Sequence, residues 1–239
     1  MKMLALESSG LVASVAVVTE DRLVGEYTTN FKKTHSQTLL PMMDALLKMT
    51  GISVSEMDAI AVSGGPGSFT GLRIGSATAK GLGLALNKPI ISVPTVDAIA
   101  YNLFGTDAVV CPLMDARRNQ TYTGLYTFEG DQMVCIAPQK AVMIDEIISE
   151  INDLGRRVIF LGDGVPVFRQ ALEDGIQVSH TYAPVHLNQQ RAGALGALAV
   201  QYYREGRWES PAEHQPDYLR LSQAERELAA KKKEEQNKK

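Results

Sequence analysis

The segment Ser63-Gly64-Gly65-Pro66-Gly67-Ser68-Phe69-Thr70-Gly71-Leu72-Arg73-Ile74-Gly75 narrows the possible folds more than any other part of the chain. It follows the apolar run Ala59-Ile60-Ala61-Val62, which reads as a buried strand. It leads into a helical segment where small residues recur every four positions, at Gly71, Gly75, Ala79 and Gly83. That spacing aligns them in one row on a helix. A glycine inside a helix costs about 1 kcal/mol relative to alanine, so the row does not exist for the helix's own stability. It is expected to let another backbone approach closely, from this chain or from another; a helix pair from a partner chain is the working expectation.

The chain has 239 residues, 45% hydrophobic and 21% charged, the balance of a globular protein with a sizeable core. A net charge of −3 gives no overall attraction to nucleic acid or anionic membrane, so RNA contact would need a local patch or a partner. The two cysteines, Cys111 and Cys135, form no Cys-x-x-Cys, which argues against a zinc or redox motif. Glu7 comes too early for a signal peptide, and no apolar run has membrane-spanning length; a cytoplasmic location with reduced thiols is expected.

Met3–Leu6, Ala13–Val18 and Leu23–Tyr27 read as an antiparallel meander. Leu39, Met42, Met43, Leu46 and Leu47 have helical spacing over 36–48, with Pro41 tolerable only in a first turn or as a kink. After the small-residue helix come a strand at Ile90–Val93 and a helix to about Phe104, with Thr95 as its expected N-cap. The opening pattern then returns. Val109–Met114 ends at Asp115, as the first strand ends at Glu7, and Thr121–Phe128 follows a turn at Arg117-Arg118-Asn119. Helix (144–152), strand (158–161), Gly162-Asp163-Gly164 and helix (165–172) complete the second half. The reading is an α/β chain of two duplicated β-meander-plus-α/β lobes, 1–106 and 107–220. A helix near 190–205 is expected to pack back on the first lobe. The charged tail, 221–239, is expected to lack fixed structure.

Each candidate site competes with a plainer explanation. The glycine-rich turn offers backbone N–H groups at a helix start, suited to phosphate, but it matches neither a Walker A motif nor Gly-x-Gly-x-x-Gly with a downstream acid. A tight strand-to-helix turn explains it as well. Glu7 and Asp115, at equivalent strand ends, suit a metal–phosphate complex or water activation across a cleft; alone, each is explained as a turn acid. The four histidines show no ligand spacing, so no metal site is expected. Gly67-Ser68-Phe69-Thr70-Gly71 is not a Gly-x-Ser-x-Gly elbow, which disfavours a serine hydrolase.

Taken together, Leu4–Ser9, His35–Pro41, Gly65–Gly75, Asp115–Arg118 and Pro216–Arg220 resemble the bacterial TsaB proteins over about residues 1–220. The resemblance implies an actin-like ATPase-domain (ASKHA) fold of two lobes. It implies a non-catalytic subunit in the synthesis of threonylcarbamoyladenosine beside the tRNA anticodon. Such a subunit binds and activates TsaD, the catalytic paralogue that carries metal-binding histidines, and is joined by the ATPase TsaE. ATP and metal then belong to the partner proteins, tRNA is met through the complex, and a second copy of the chain is a further partner when it is alone. The implied partner face is His35, Leu39, Met42, Met43 and Leu46 on one helix with Gly71, Leu72, Arg73, Gly75, Ser76, Ala79, Lys80 and Gly83 on the next. Glu7, Asp115, Gly162 and Gly164 are the nucleotide-proximal positions, with Glu7 departing from the fold's usual Asp. Two other classes stay open on the fold alone: a small-molecule kinase or ATPase, and a metalloprotease-like hydrolase.

Overall fold

In the computed structural model, which describes residues 1–31 and 33–219, the strand predicted at Met3–Leu6 is β1 (Lys2–Glu7) and lies at the centre of a sheet. Its apolar run is continuous because both faces are covered. It pairs antiparallel with β2 (Ala13–Thr19), Leu4 opposite Val17 and Leu6 opposite Val15. On its other side it pairs in parallel with β4 (Ala59–Gly65), Leu4 opposite Ile60 and Leu6 opposite Val62. With β3 (Leu23–Thr29) and β5 (Ile90–Pro94) the sheet order is β3-β2-β1-β4-β5.

Side chains leave this sheet alternately. Leu4, Leu6, Val15, Val17, Ile60 and Val62 meet α1 (His35–Thr50) and α2 (Phe69–Leu86) on one face. Met3, Ala5, Ala16, Val18, Ala59 and Ala61 meet α6 (Ala192–Arg204) on the other. Pro41 lies inside α1 rather than in its first turn, so the Gln37 carbonyl has no amide four residues on.

The second sheet repeats the plan. β6 (Val109–Asp115), β7 (Gln120–Glu129) and β8 (Gln132–Met143) form a meander, and β9 (Val158–Leu161) and β10 (His180–Tyr182) add in parallel, giving β10-β9-β6-β7-β8. α4 (Ile144–Leu154) and α5 (Val165–Gly175) cover one face, and α3 (Thr95–Ala100) packs on the other. The duplication expected from sequence is therefore present strand for strand.

Two local expectations are corrected. Thr95 is not a cap: Pro94 holds that position and Thr95 is the first helical residue, fully buried. β8, a strand of 12 residues, and short β10 were not foreseen. Pro138 and the half-exposed pattern of β8 hide a strand, yet an edge strand tolerates proline. Among the described residues no helix is long and apolar enough to cross a membrane. The tail expected to be without fixed structure, 221–239, lies outside the described residues.

Candidate functional site

The repeated meanders end at facing turns, and the cleft between the lobes forms there. Its volume is about 450 Å³, and Ser9–Leu11, Gly67–Phe69, Met114–Arg117, Asp163 and Asp217–Leu219 line it. The glycine-rich turn behaves as the tight strand-to-helix turn that the plainer explanation described. Ser68 is the N-cap of α2, its Oγ accepting the Gly71 N–H at 3.3 Å. The Ser68 N–H donates to the Ser9 carbonyl at 2.6 Å, joining this turn to the β1–β2 turn.

Glu7 and Asp115 occupy equivalent strand ends but do different things. Glu7 is fully buried and faces its own turn, where Oε1 accepts from Ser9 N–H and Ser9 Oγ, both at 2.6 Å. Burial raises its carboxyl to about 7, with the Ser9 and Ser63 hydrogen bonds opposing the rise. Asp115 does line the cleft; it accepts from Arg117 N–H at 2.8 Å and forms an ion pair with Arg117 Nη1 at 3.1 Å. Arg117, Arg118 and Asn119 are all left-handed, with φ of 66°, 55° and 62°. Such a conformation costs non-glycine residues roughly 1–2 kcal/mol each, and the Asp115 carboxylate ties down the first of them.

Of the other nucleotide-proximal positions, Gly162 and Gly164 face the β6 backbone, not the cleft. Gly162 has φ +103°, and the Gly164 N–H donates to the Leu113 carbonyl at 2.9 Å. The residue between them, Asp163, is the one that reaches the cleft. Its Oδ1 accepts the Asp115 N–H at 3.3 Å. Burial foremost, and the Asp115 charge, raise its carboxyl to about 6. The glycines were legible as turn residues, but the acid's direction depends on a backbone close approach that composition does not reveal.

The small-residue row requires the main correction. A Cβ on Gly71 would collide with the Ser8 carbonyl and one on Gly75 with Ser8 Oγ. Ala79 is fully buried against the β1–β4 core, and a Cβ on Gly83 would lie 2.7 Å from Pro211 Cγ. The row therefore accepts this chain's own β1 turn, strand β4 and Pro211, and is no outward groove for a foreign helix pair. Leu39, Leu46, Leu72 and Ser76 are buried too, and Met42 and Met43 pack partly on the same core. His35 Nε2 pairs with the Gly10 carbonyl at 2.8 Å, and Lys80 Nζ donates to carbonyls of Ala212 and His214. Arg73 alone of the predicted face is exposed, its guanidinium 5.4 Å from the Phe69 ring centre.

The outer surface of these helices is made of other residues. Leu40 on α1 and Leu84 on α2 are 49% and 62% exposed. Ala77 and Gly81 lie exposed along α2, and a Cβ at Gly81 would meet nothing within 4 Å. The outward pair Ala77 and Gly81 was visible in the sequence but lay off the four-residue row.

A family profile described as TsaD: tRNA N6-adenosine threonylcarbamoyltransferase matches residues 22–228. The tRNA threonylcarbamoyladenosine biosynthesis protein TsaB of Bacillus subtilis is 32% identical over 227 residues, 94% of this chain and 96% of that protein. TsaB of Escherichia coli is 28% identical over 97% of this chain and all of that protein, 100%. The solved structure of YeaZ from Pseudomonas aeruginosa superposes with a TM-score of 0.78, at 26% identity, over 91% of this chain and 99% of that one. With the repeated strand order, these likenesses make the fold the actin-like ATPase-domain (ASKHA) fold.

Proposed function

The chain belongs to the TsaB family of tRNA threonylcarbamoyladenosine biosynthesis proteins, and on that premise we propose that it is the non-catalytic subunit that binds and activates a TsaD-type threonylcarbamoyltransferase. The observation that carries the reading is the fate of Glu7. Duplication supplies an acid at two strand ends, but Glu7 is buried and held by Ser9, so the cleft receives only Asp115 of the pair. The cleft holds Asp115 and Asp163 from the second lobe but no carboxylate from the equivalent strand end of the first, so the symmetric pair that would flank a metal–phosphate is incomplete.

The partner face in this reading is the outer side of α1 and α2, with Leu40, Ala77, Gly81 and Leu84 at its centre. Small residues flanked by exposed leucines allow close helix–helix contact. ATP and metal are held by the catalytic partner and by a TsaE-type ATPase, and tRNA is met in the assembly. When the partner is absent, the same face pairs with a second copy of the chain.

The test mixes the purified chain with its TsaD-type and TsaE-type counterparts, reading mass by light scattering and, with tRNA, ATP and an activated threonylcarbamoyl donor added, threonylcarbamoyladenosine formation. The expected result is a mixed complex that forms product, with no product from this chain alone. Phosphate release from ATP, phosphoryl transfer from ATP to a small-molecule acceptor, or peptide cleavage by this chain alone would overturn it.

A further inference from the structure

Residues 207–219 follow the last helix with no regular element, yet they are bound to the first lobe at several points. Glu209 exchanges backbone hydrogen bonds with Ile90 on the edge strand β5, at 2.9 and 3.0 Å. Pro211 sits over Gly83. Lys80 Nζ donates to the carbonyls of Ala212 and His214, at 3.2 and 2.9 Å, and the buried His214 ring pairs with Glu209 at 2.7 Å. The Asp217 N–H then donates to the Gly64 carbonyl at 2.6 Å, and its own carbonyl lies against Gly65, where a Cβ would collide with it. The Tyr218 ring rests on Phe69, centroids 4.8 Å apart. Gln139 of β8, from the other lobe, donates to Asp217 Oδ2 at 3.4 Å.

We propose that residues 216–219 are a built-in lid that narrows the interlobe cleft and turns away phosphate-bearing ligands. Position and charge both carry the argument. Asp217, Tyr218 and Leu219 form the cleft wall that faces Met114–Arg117 and Asp163. At the glycine-rich turn, where an anion would bind through N–H groups at the start of a helix, the Ser68 N–H is already held by the Ser9 carbonyl, and the lid is fastened beside it through the Gly64 carbonyl. The lid also brings a third carboxylate beside Asp115 and Asp163, against the one guanidinium, Arg117, among the described lining residues. Like charges at that range repel a polyphosphate. The inference deepens the subunit reading, which gives ATP to the partners, and the lid variants test the lid apart from that reading.

The experiment uses the full chain, with ATP as the probe in calorimetric titration and hydrogen exchange at the Asp217 amide as the readout of lid position. The unaltered chain is expected to protect that amide and bind ATP poorly. Lys80→Ala/Tyr218→Ala removes the side-chain anchors on either side of Asp217, and is expected to deprotect the amide and tighten ATP binding at least about tenfold. Asp217→Asn, which keeps the lid in place without its charge, is expected to tighten binding by less. The proposal is overturned if the unaltered chain binds ATP tightly with the amide protected, if the double variant exposes the amide without gaining affinity, or if the double variant keeps the amide protected.

Discussion

Gly75→Leu separates an internal row from an external one. Gly75 is buried, and a side chain there strikes Ser8 Oγ while its Cβ lies 3.4 Å from Val62 Cγ2. Ser8 Oγ is no flexible end, because it donates to the Gly71 carbonyl at 2.9 Å. Overpacking costs about 1–3 kcal/mol, with a full isobutyl group at the upper end. Breaking the buried Ser8–Gly71 hydrogen bond adds about 1 kcal/mol. Removing a helical glycine returns up to about 1 kcal/mol. The net is a loss of about 3 kcal/mol, and a chain of this size loses roughly 2–4 °C of Tm per kcal/mol. Scanning calorimetry on the isolated chain should therefore show a fall of roughly 6–12 °C. Ala77→Leu on the exposed side of α2 is the matched control. It should leave stability within about 0.5 kcal/mol while weakening association with the TsaD-type partner in light scattering. An unchanged Tm for Gly75→Leu together with lost association would place the row on the surface and refute the reasoning.

Three further outcomes are expected. Glu7 has its folded carboxyl raised from 4.5 to about 7 by burial, so the folded state binds more protons than the unfolded one between those values. Stability then falls as pH rises through that window, by on the order of 3 kcal/mol in all; Glu7→Gln should flatten the stability–pH curve there, measured by urea midpoints from pH 4 to 8, roughly the window just named. Tyr126→Phe removes the 2.6 Å hydrogen bond from β7 to Asp97 on α3. It should lower stability by about 2 kcal/mol without altering the denaturant slope, because Tyr202 still donates to the same carboxylate at 3.1 Å. Cys111 is buried, its thiol pushed up to about 12 by burial, whereas Cys135 is exposed. A thiol reagent should modify Cys135 alone in the folded chain and both cysteines in denaturant; rapid modification of Cys111 under native conditions would contradict its packing.

Much of the candidate site was legible because its parts are local. A strand that ends in Gly-Pro-Gly and opens a capped helix is written in adjacent residues, and Asp115 was found because its strand repeats the first. Asp163 was passed over in favour of its glycine neighbours, whose close packing on Leu113 is what turns the acid toward the cleft. The wall of the cleft at Asp217–Leu219 left no periodic signal. Its anchors, such as Lys80 to His214, span 134 positions.

The chain's own order of residues determined which segments are strands, which are helices, and that the two halves repeat. It also determined that something must approach the row at Gly71, Gly75, Ala79 and Gly83. Periodicity names the face of a helix that carries small residues, but it holds no information about what stands opposite. Only the assembled sheets decided that: β1 and β4 lie side by side, so the Ser8 turn and Val62 are already against α2. Contacts between distant parts of the chain are chosen by whichever surfaces bury the most together, and no local window contains both members of such a pair.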